Sequence, residues 1–409
     1  MIHWFLSKTV RHATAMRKHV QKLLDHQRDL LSPQAVENIR AAMSALQQAV
    51  ADSADKPELE KLMQKLEAAA NKWLKPYPHP GFRENVEVLL VALTVAMGIR
   101  TFFLQPFKIP TGSMQPTLFG VTSLPDFTPT REQSTFQIPT AWTRVREWFQ
   151  GVSYLHVVAQ NDGTLDEIDP PVRFLIFNLW QKLVAGGKTY MLWFPPDYGQ
   201  LLLQQRAGIH EGQFFHKGED ILKMKVTAGD HLFVDRLSYN FRAPQRGEII
   251  VFETKGIQGL PPDQFYIKRL AGLGGETLCL HQDYVVTEVP RMGPVPVGHL
   301  VVNGRPITAS TPRFENVYSF YGAANRPKGQ SGNVALLYQE GHYYGHAMIE
   351  RLAPGYKFTV EPGHFFVMGD NTMNSLDSRF WGDFPAAQAI GKSFFVYWPI
   401  TERFGWGYH

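Results

Sequence analysis

The sequence predicts a mostly β protein, preceded by one transmembrane helix and by an N-terminal α-helical hairpin region. Three observations support this fold class. Apolar residues repeat at helical spacing over residues 1–75, and a continuous apolar run follows at residues 86–104. Most of the chain after residue 229 consists of short β-rich runs that are separated by turn residues. The helical and β patterns therefore occupy different parts of the chain, on either side of the apolar run.

The first 75 residues show the pattern of helices that each bury one face. One apolar stripe has the spacing of a helix: Val36, Ile39, Met43, Leu46 and Val50. Ser32 and Asp55 precede prolines in the way that residues at helix starts do. A hairpin of two or three helices is expected, followed by a proline-rich linker at residues 76–85.

The apolar run at residues 86–104 is long enough to cross a bilayer, which takes roughly 20 residues. Glu87 and Arg100 interrupt it only near its ends, where charged side chains can reach the headgroups. We expect Pro106 to end the helix. The alternative is a buried helix of a soluble protein, but the separate helical unit before the run favours a membrane span.

The charges around the run favour an N-terminus on the cytoplasmic side. Lys72, Lys75 and Arg83 precede it, while Arg100 and Lys108 lie at or beyond its other end. The resulting prediction is a single-pass membrane protein with the β region on the face opposite the cytoplasm.

The bulk composition excludes several classes of function. The net charge of the 409 residues is only +4, which does not indicate a nucleic acid partner. The one cysteine, Cys279, excludes an internal disulfide, and its strand-like surroundings favour a small buried residue over a nucleophile. Neither an HExxH zinc motif nor a GxSxG nucleophile elbow occurs. No metal and no cofactor is expected.

A short hydroxyl-bearing turn, PTGSM, follows the apolar run. Ser113 is a candidate nucleophile, and its backbone N–H and the hydroxyl of Thr111 could both face a carbonyl oxygen. Gly112 between them permits a close backbone approach. An ordinary turn is the alternative. Ser113 lies nine residues past Leu104, so an extended chain reaches at most about 30 Å, which keeps the hydroxyl near the membrane surface.

The candidate base for this serine is a lysine, which must be uncharged to accept a proton. Lys268 lies in the strand-like run QFYIKRLAGL and shares a face with Tyr266 and Leu270. Burial among apolar groups lowers the pKa of a lysine by up to several units. The alternative is a lysine that protects an edge strand from aggregation.

A third polar stretch, GDNTMNSLDSRFWGD at residues 369–383, concentrates hydrogen-bonding side chains. Ser375 could orient an amine, and Asp377 with Arg379 could brace the loop. A polar surface turn is the alternative, although the neighbouring aromatic pair Phe380-Trp381 favours partial burial.

These stretches together resemble the sequence boxes of bacterial type I signal peptidase, the leader peptidase family, in their order along the chain: IPTGSMQPTL, GDHLFVDRL with RGEIIVFE, YIKRLAGLGGE and GDNTMNSLDSRFWG. The resemblance covers roughly residues 86–118 and 229–399. It implies a signal-peptidase-like catalytic β fold with an accessory β domain. The implied divisions are a catalytic domain of 105–118, 229–275 and 360–400, an insertion of unknown role at 119–228, and an accessory domain at 276–359.

The resemblance implies a role for each candidate residue. Ser113 would be the nucleophile and Lys268 the general base, Thr111 would complete the oxyanion hole, and Ser375 would hydrogen-bond the lysine amine. Four further residues would support the site: Asp377, Arg379, Asp370 and Arg269. Nine would line shallow pockets for small substrate residues, with Ile109 and Pro110 as an extended edge for the substrate: Phe107, Ile109, Pro110, Met114, Leu118, Leu232, Val251, Tyr266 and Ile267.

The implied function is a membrane-anchored serine endopeptidase that acts on preprotein signal peptides, with the lipid bilayer as its other partner. A catalytically silent scaffold of the same fold, tethered to the membrane, is the main alternative, and a protease that cuts itself is another. Thr372 and Met373 depart from the family pattern, which often has arginine and an acidic residue there. The oligomeric state is left open.

Overall fold

The computed structural model describes residues 8–75, 80–125, 136–174, 177–286, 293–318 and 345–406. Part of the linker predicted at 76–85, namely 76–79, lies outside the described residues, as do parts of the predicted insertion and accessory domain. The chain divides into two compact units, Met1–Thr94 and Val95–His409.

The predicted helical region lies in the N-terminal unit, and its described residues form three α-helices: α1 at Lys8–Gln27, α2 at Pro33–Ala51 and α3 at Lys56–Trp73. The two predicted helix starts are confirmed, because the side chains of Ser32 and Asp55 accept hydrogen bonds from the first turns of α2 and α3. The buried side chain of Gln27 bonds both to the N–H and to the carbonyl of Lys75, which ties the end of α1 to the segment just after α3.

The apolar run forms helix α4, Pro80–Phe102. The predicted bounds are wrong at both ends, because the helix begins at Pro80 and not at Val86, and because it ends before Leu104. That leucine begins strand β1, Leu104–Lys108, which contains Pro106. The helix therefore ends where strand pairing begins, and proline is tolerated in β1 because this strand lies at the edge of its sheet.

The insertion at 119–228 forms a small β structure with its own core. Its elements are β2 (Thr122–Leu124), α5 (Ala141–Phe149), β3 (Val152–Val158), β4 (Gly163–Ile168), β5 (Val172–Phe174), β6 (Phe177–Ala185), β7 (Lys188–Trp193), α6 (Leu203–Ala207), β8 (Phe214–Phe215) and β9 (Asp220–Thr227). Helix α5 confirms the helical candidate TAWTRVREWF. The two ends of the insertion lie side by side, because β2 pairs with β9 and the N–H of Asp230 donates to the carbonyl of Phe119 at 2.8 Å.

The remaining described elements are β10 (His231–Asp235), β11 (Ile249–Glu253), β12 (Phe265–Leu273), β13 (Thr277–Val286), β14 (Val295–Val302), β15 (Arg305–Pro306), α7 (Glu315–Tyr318), β16 (His346–Ala347), β17 (Phe358–Thr359), β18 (His364–Met368), α8 (Ser378–Trp381), β19 (Phe384–Pro385) and β20 (Ala389–Trp398). They confirm the mostly β prediction.

Strand β1 and six of these strands form one antiparallel sheet in the order β1-β10-β20-β11-β12-β18-β19. A second sheet, with the order β15-β14-β13-β17 and β16 on β14, lies within the predicted accessory region. The two sheets share a core, because Ala271 and Phe366 of the first pack with Leu278 and Leu300 of the second. Strand β12 is therefore buried on both faces over its middle, and this burial decides the environment of the candidate site.

Candidate active site

The candidate nucleophile lies in a tight turn directly after β1. The fully buried side chains of Met114 and Leu118 anchor this turn in a core cluster under the sheet. Within the turn, the N–H of Gln115 donates to the carbonyl of Gly112 at 3.1 Å. Ser113 is buried except for 7% of its surface. These two apolar side chains therefore hold the polar turn against the sheet.

The amine of Lys268 lies against this serine. Its Nζ is 2.7 Å from Oγ of Ser113, and it also donates to the carbonyl of Ile267 at 3.0 Å. Lys268 lies on β12 and pairs with Ile250 of β11. Because β12 lies between β11 and β18 in the sheet, Lys268 is not on an edge strand. The edge-strand alternative is excluded. The predicted pairing of serine and lysine is present in the geometry.

Burial makes the ammonium form of this lysine a stronger acid than that of an exposed lysine. Only 5% of Lys268 is exposed, and desolvation lowers its pKa from 10.5 to about 8, although Asp377 and Asp370 act in the opposite direction. Both carboxylates pair with arginines. Among the described residues the amine therefore has no carboxylate of its own, and the cost of burying a charge prevails.

Asp377 and Arg379 form the predicted brace. Arg379 donates from Nε to Oδ1 of Asp377 at 2.9 Å and from Nη2 to Oδ2 at 2.8 Å, and both side chains are fully buried. Burial alone would raise the pKa of Asp377, but the guanidinium and the N–H of Gly369 hold it below its ordinary value. This carboxylate is therefore ionised and paired, and its charge is balanced beside the lysine.

Arg269 and Asp370 form a second buried pair on the other face of β12. Arg269 donates from Nε to Oδ1 of Asp370 at 2.7 Å and from Nη2 to Oδ2 at 2.6 Å. The hydroxyl of Thr117 donates to the same carboxylate and accepts from Arg269 at 3.2 Å. The pair thus joins β12, the loop after β18 and the end of the nucleophile turn.

The loop at 369–383 packs against the nucleophile turn through two residues that sequence reasoning did not assign to the site. Asn371 bonds to the carbonyls of Gly112 and Ser113. A Cβ on Gly369 would lie 2.1 Å from Oγ of Ser375 and 2.5 Å from the carbonyl oxygen of Ser113, so this contact requires glycine. The polar density of the loop was visible in the sequence, but no local pattern indicates which distant carbonyls its amides reach.

Thr111 lies beside the nucleophile, whereas Ser375 makes no described hydrogen bond to the amine that the resemblance assigned to it. The hydroxyl of Thr111 lies 3.4 Å from Oγ of Ser113, beside the nucleophile. The described contacts of the Lys268 amine include Ser113 and Ile267 but no hydrogen bond to Ser375, whose buried hydroxyl lies near Asp377. The departure at Thr372 has a structural reason, since this buried hydroxyl accepts from Nη1 of Arg379 at 3.2 Å and from the N–H of Ala347.

Seven of the nine predicted pocket residues belong to one apolar cluster: Phe107, Ile109, Met114, Leu118, Leu232, Val251 and Ile267. Five of the seven are buried, and Phe107 and Ile267 are partly accessible. Tyr266 lies instead on the opposite face of β12, where its ring centroid is 5.5 Å from Nζ of Lys268. Pro110 is half-buried beside the nucleophile turn. The structure therefore brings most, but not all, of these residues together.

The expected substrate edge at Ile109 and Pro110 is partly occupied by the protein itself. Strand β1 ends at Lys108, and the N–H of Ile109 already donates to the carbonyl of Asp230 at 2.8 Å. The insertion reaches the same edge, because Asp197 forms an ion pair with Lys108 and a Cβ on Gly199 would lie 2.9 Å from the carbonyl oxygen of Pro110. Part of the insertion thus lies beside the site.

Comparison with known proteins gives this site a family. The family model described as signal peptidase, peptidase S26, matches residues 220–398. Signal peptidase I of Aquifex aeolicus (strain VF5) is 32% identical over 191 residues, which cover 42% of this chain and 70% of that protein. Signal peptidase I of Pseudomonas aeruginosa is 27% identical over 272 residues, which cover 59% of this chain and 82% of that protein.

A crystal structure of a signal peptidase I from Enterococcus faecalis V583 is also similar. It is 25% identical and covers 37% of this chain and 97% of that chain, with a TM-score of 0.22. At this TM-score the superposition adds no argument of its own, and the sequence relationship decides the assignment.

The fold, with its buried amine against a serine hydroxyl, and the sequence similarity point to one class of protein, a protease of the signal peptidase type. The chain belongs to the signal peptidase family, peptidase S26. This membership confirms the resemblance, the fold class and the enzyme class that the sequence predicted. In the described part of the chain, no group of three or more His, Cys, Asp or Glu side chains could hold a metal ion.

Proposed function

We propose that this chain is a membrane-anchored serine endopeptidase that removes N-terminal signal peptides from exported preproteins, with Ser113 as nucleophile and Lys268 as general base. The observation on which the proposal depends is the 2.7 Å separation of Nζ and Oγ, together with the burial that lowers the pKa of the lysine to about 8. A neutral amine in hydrogen-bond range of a hydroxyl is what general-base catalysis requires.

In the proposed reaction, the neutral amine of Lys268 takes the hydroxyl proton while Oγ of Ser113 bonds to the scissile carbonyl carbon. The resulting oxyanion would be stabilised by the N–H of Ser113 and the hydroxyl of Thr111. The lysine ammonium then gives its proton to the leaving amine as the C–N bond breaks. A water molecule, deprotonated by the same amine, hydrolyses the acyl-enzyme and frees Ser113.

The supporting residues are proposed to hold the catalytic groups in place. Asp377 with Arg379, and Asp370 with Arg269, are charge-balanced pairs that hold the strands and loops around the amine. Ser375 is proposed to hydrogen-bond the amine and hold it towards Oγ of Ser113; its buried hydroxyl in the loop beside Asp377 supports this. The pocket cluster around Ile267 and Phe107 would accept small side chains, because five of its seven predicted pocket residues are buried.

We also propose that α4 is the membrane anchor. The most apolar 18-residue window of Gly81–Phe102 has a mean hydropathy of 1.5, and none of that window is buried in the protein. A helix of 22 residues is roughly 33 Å long, enough to cross the hydrocarbon core. The basic residues before it favour a cytoplasmic N-terminus, so the enzyme would cut at the outer face of the inner membrane.

Helix α5 of the insertion is proposed to rest on the same membrane. It has no buried residue, and Trp142 is 85% exposed. Trp148 and Phe149 are also exposed, with Arg144 and Arg146 on the same helix. Exposed tryptophan beside arginine is typical of helices that lie in the interface of an anionic bilayer.

The experiment that tests this function is incubation of the full-length protein in detergent with a preprotein that has a small-x-small cleavage site. N-terminal sequencing of the product should give the residue directly after that site. An intact precursor would support the silent-scaffold alternative, while fragments of the enzyme itself without precursor cleavage would support self-cleavage. The undisturbed contact between Ser113 and Lys268 favours turnover of a substrate.

A further inference from the structure

The peptide bond between Gly112 and Ser113 has its carbonyl side fixed by the loop that follows β18. The carbonyl oxygen of Gly112 accepts from Nδ2 of Asn371 at 2.8 Å and from the N–H of Gln115 at 3.1 Å. This peptide is not among the cis bonds of the described chain, so its N–H points away from its carbonyl. Holding the carbonyl therefore sets the direction of the N–H of Ser113.

That N–H is available for a substrate. Among the described residues, no acceptor for the N–H of Ser113 is found, although the turn is largely buried. A buried N–H without a partner is uncommon and costs free energy. Such an unsatisfied donor next to the nucleophile is what an oxyanion hole provides.

The orientation of Asn371 is determined by its neighbours. Its Oδ1 accepts from the N–H of Asn374 at 3.2 Å, so the amide NH₂ must face Gly112. Its own backbone N–H donates to the carbonyl of Ser113 at 3.1 Å, and only 1% of the residue is exposed. One asparagine thus holds the carbonyls on both sides of the nucleophile.

We propose that Asn371 is a positioning residue for the oxyanion hole: its side-chain amide aims the N–H of Ser113 at the developing oxyanion, without touching the substrate. This inference depends on the proposed function, because it assigns a role within that reaction. The amide acts on the peptide bond of the nucleophile and not on the amine of Lys268, whose described partners are Ser113 and Ile267.

The loop has other anchors that do not depend on this side chain. The N–H of Gly369 donates to Asp377 at 2.9 Å, and Thr372 accepts from Arg379 and from Ala347. Replacing Asn371 should therefore leave the lysine and its surroundings intact. A positioning role and a purely structural role then predict different kinetics.

The test uses the full-length enzyme in detergent and compares Asn371→Ala and the similar-sized Asn371→Leu with a matched control, Asn374→Ala, whose exposed side chain belongs to the same loop. Four quantities are measured: kcat, KM, the midpoint of the acid limb of the pH–kcat profile, and the affinity for a peptide aldehyde that forms a tetrahedral adduct with the serine. Loss of one oxyanion donor typically lowers kcat about 100- to 1,000-fold.

For both Asn371 variants we expect kcat to fall at least about 10-fold with KM within about twofold, because the N–H is misaligned and not removed. The acid-limb midpoint should not move, and aldehyde affinity should fall in parallel with kcat/KM. Unchanged kcat in both variants would overturn the proposal, as would a shifted midpoint or the loss of cooperative unfolding in both variants. If the wild type cleaves no precursor, the proposed function fails, which is a separate result.

Discussion

Nζ of Lys268 and Oγ of Ser113 lie 2.7 Å apart although 155 positions separate them in the chain. Neither residue is exposed, and the two are brought together by a turn after the edge strand β1 and by the middle of the inner strand β12. In the part of the chain that the structure describes, the amine has no carboxylate of its own, because both nearby carboxylates pair with arginines. A buried amine without a counter-charge is the physical basis of the proposed catalysis.

The rate of cleavage should depend on pH through Lys268. Its pKa is lowered to about 8, and only the neutral amine accepts a proton, so kcat should rise as pH increases through about 8 and then level off. The measurement is precursor cleavage at saturating substrate between pH 6 and pH 10, with the protein checked for folding at each pH. A rate that is constant from acid to alkaline pH would contradict the lysine base.

The buried pair of Arg269 and Asp370 should be essential for stability. Asp370→Asn keeps the size of the side chain but leaves the buried guanidinium without its counter-charge, which should cost about 3–5 kcal/mol in the free energy of unfolding. Urea unfolding followed by tryptophan fluorescence measures this loss.

The control for this prediction is the exposed ion pair of Lys182 and Glu167 in the insertion. Glu167→Gln should leave the free energy of unfolding almost unchanged, because solvent screens exposed pairs. Equal losses of stability for the two variants would contradict the prediction that the buried pair of Arg269 and Asp370 stabilises the fold more than an exposed ion pair does.

Gly369→Ala should inactivate the enzyme. The new Cβ would lie 2.1 Å from Oγ of Ser375 and 2.5 Å from the carbonyl oxygen of Ser113, so the loop or the nucleophile turn must move. A shift of about 1 Å in a catalytic group typically lowers the rate about 100-fold. Gly81→Ala is the matched control, since nothing lies within 4 Å of the position of its Cβ. Wild-type rates for Gly369→Ala would refute the close packing of this loop.

Helix α5 should contact lipid in the reconstituted enzyme. In a Cys279→Ala background, a fluorophore attached through Trp142→Cys should be quenched by spin-labelled acyl chains in vesicles that contain anionic lipid. The same label at Lys188→Cys, the exposed first residue of β7, should not be quenched. Equal quenching at the two positions, or none at either, would contradict the proposed contact.

Local sequence patterns were sufficient for much of the fold. The helix starts at Ser32 and Asp55 depend on a cap and a nearby proline, which are local features. Alternation placed Lys268 and Leu270 on one face of β12, and the structure agrees. The bounds of α4 were wrong because hydropathy continues into Leu104, where pairing with β10 and not composition determines the conformation.

The polar connections of the site could not be predicted in the same way. Alternation indicates which residues share a face, but not that the accessory sheet covers the other face of β12, so the burial of Arg269 was not foreseen. The contacts from Asn371 to Gly112 and Ser113 span more than 250 positions, and no periodicity encodes them. The separate core of the insertion likewise depends on pairing of its two ends.

The most direct test of the catalytic assignment compares Ser113→Ala and Lys268→Met with the wild type, on a precursor with one small-x-small site, at pH 9. The Lys268→Met side chain fills the same space without an amine, so folding should be preserved, and circular dichroism checks this. We predict correct cleavage by the wild type and no detectable product from either folded variant. Cleavage at the same bond by folded Lys268→Met, at a rate near that of the wild type, would contradict the account.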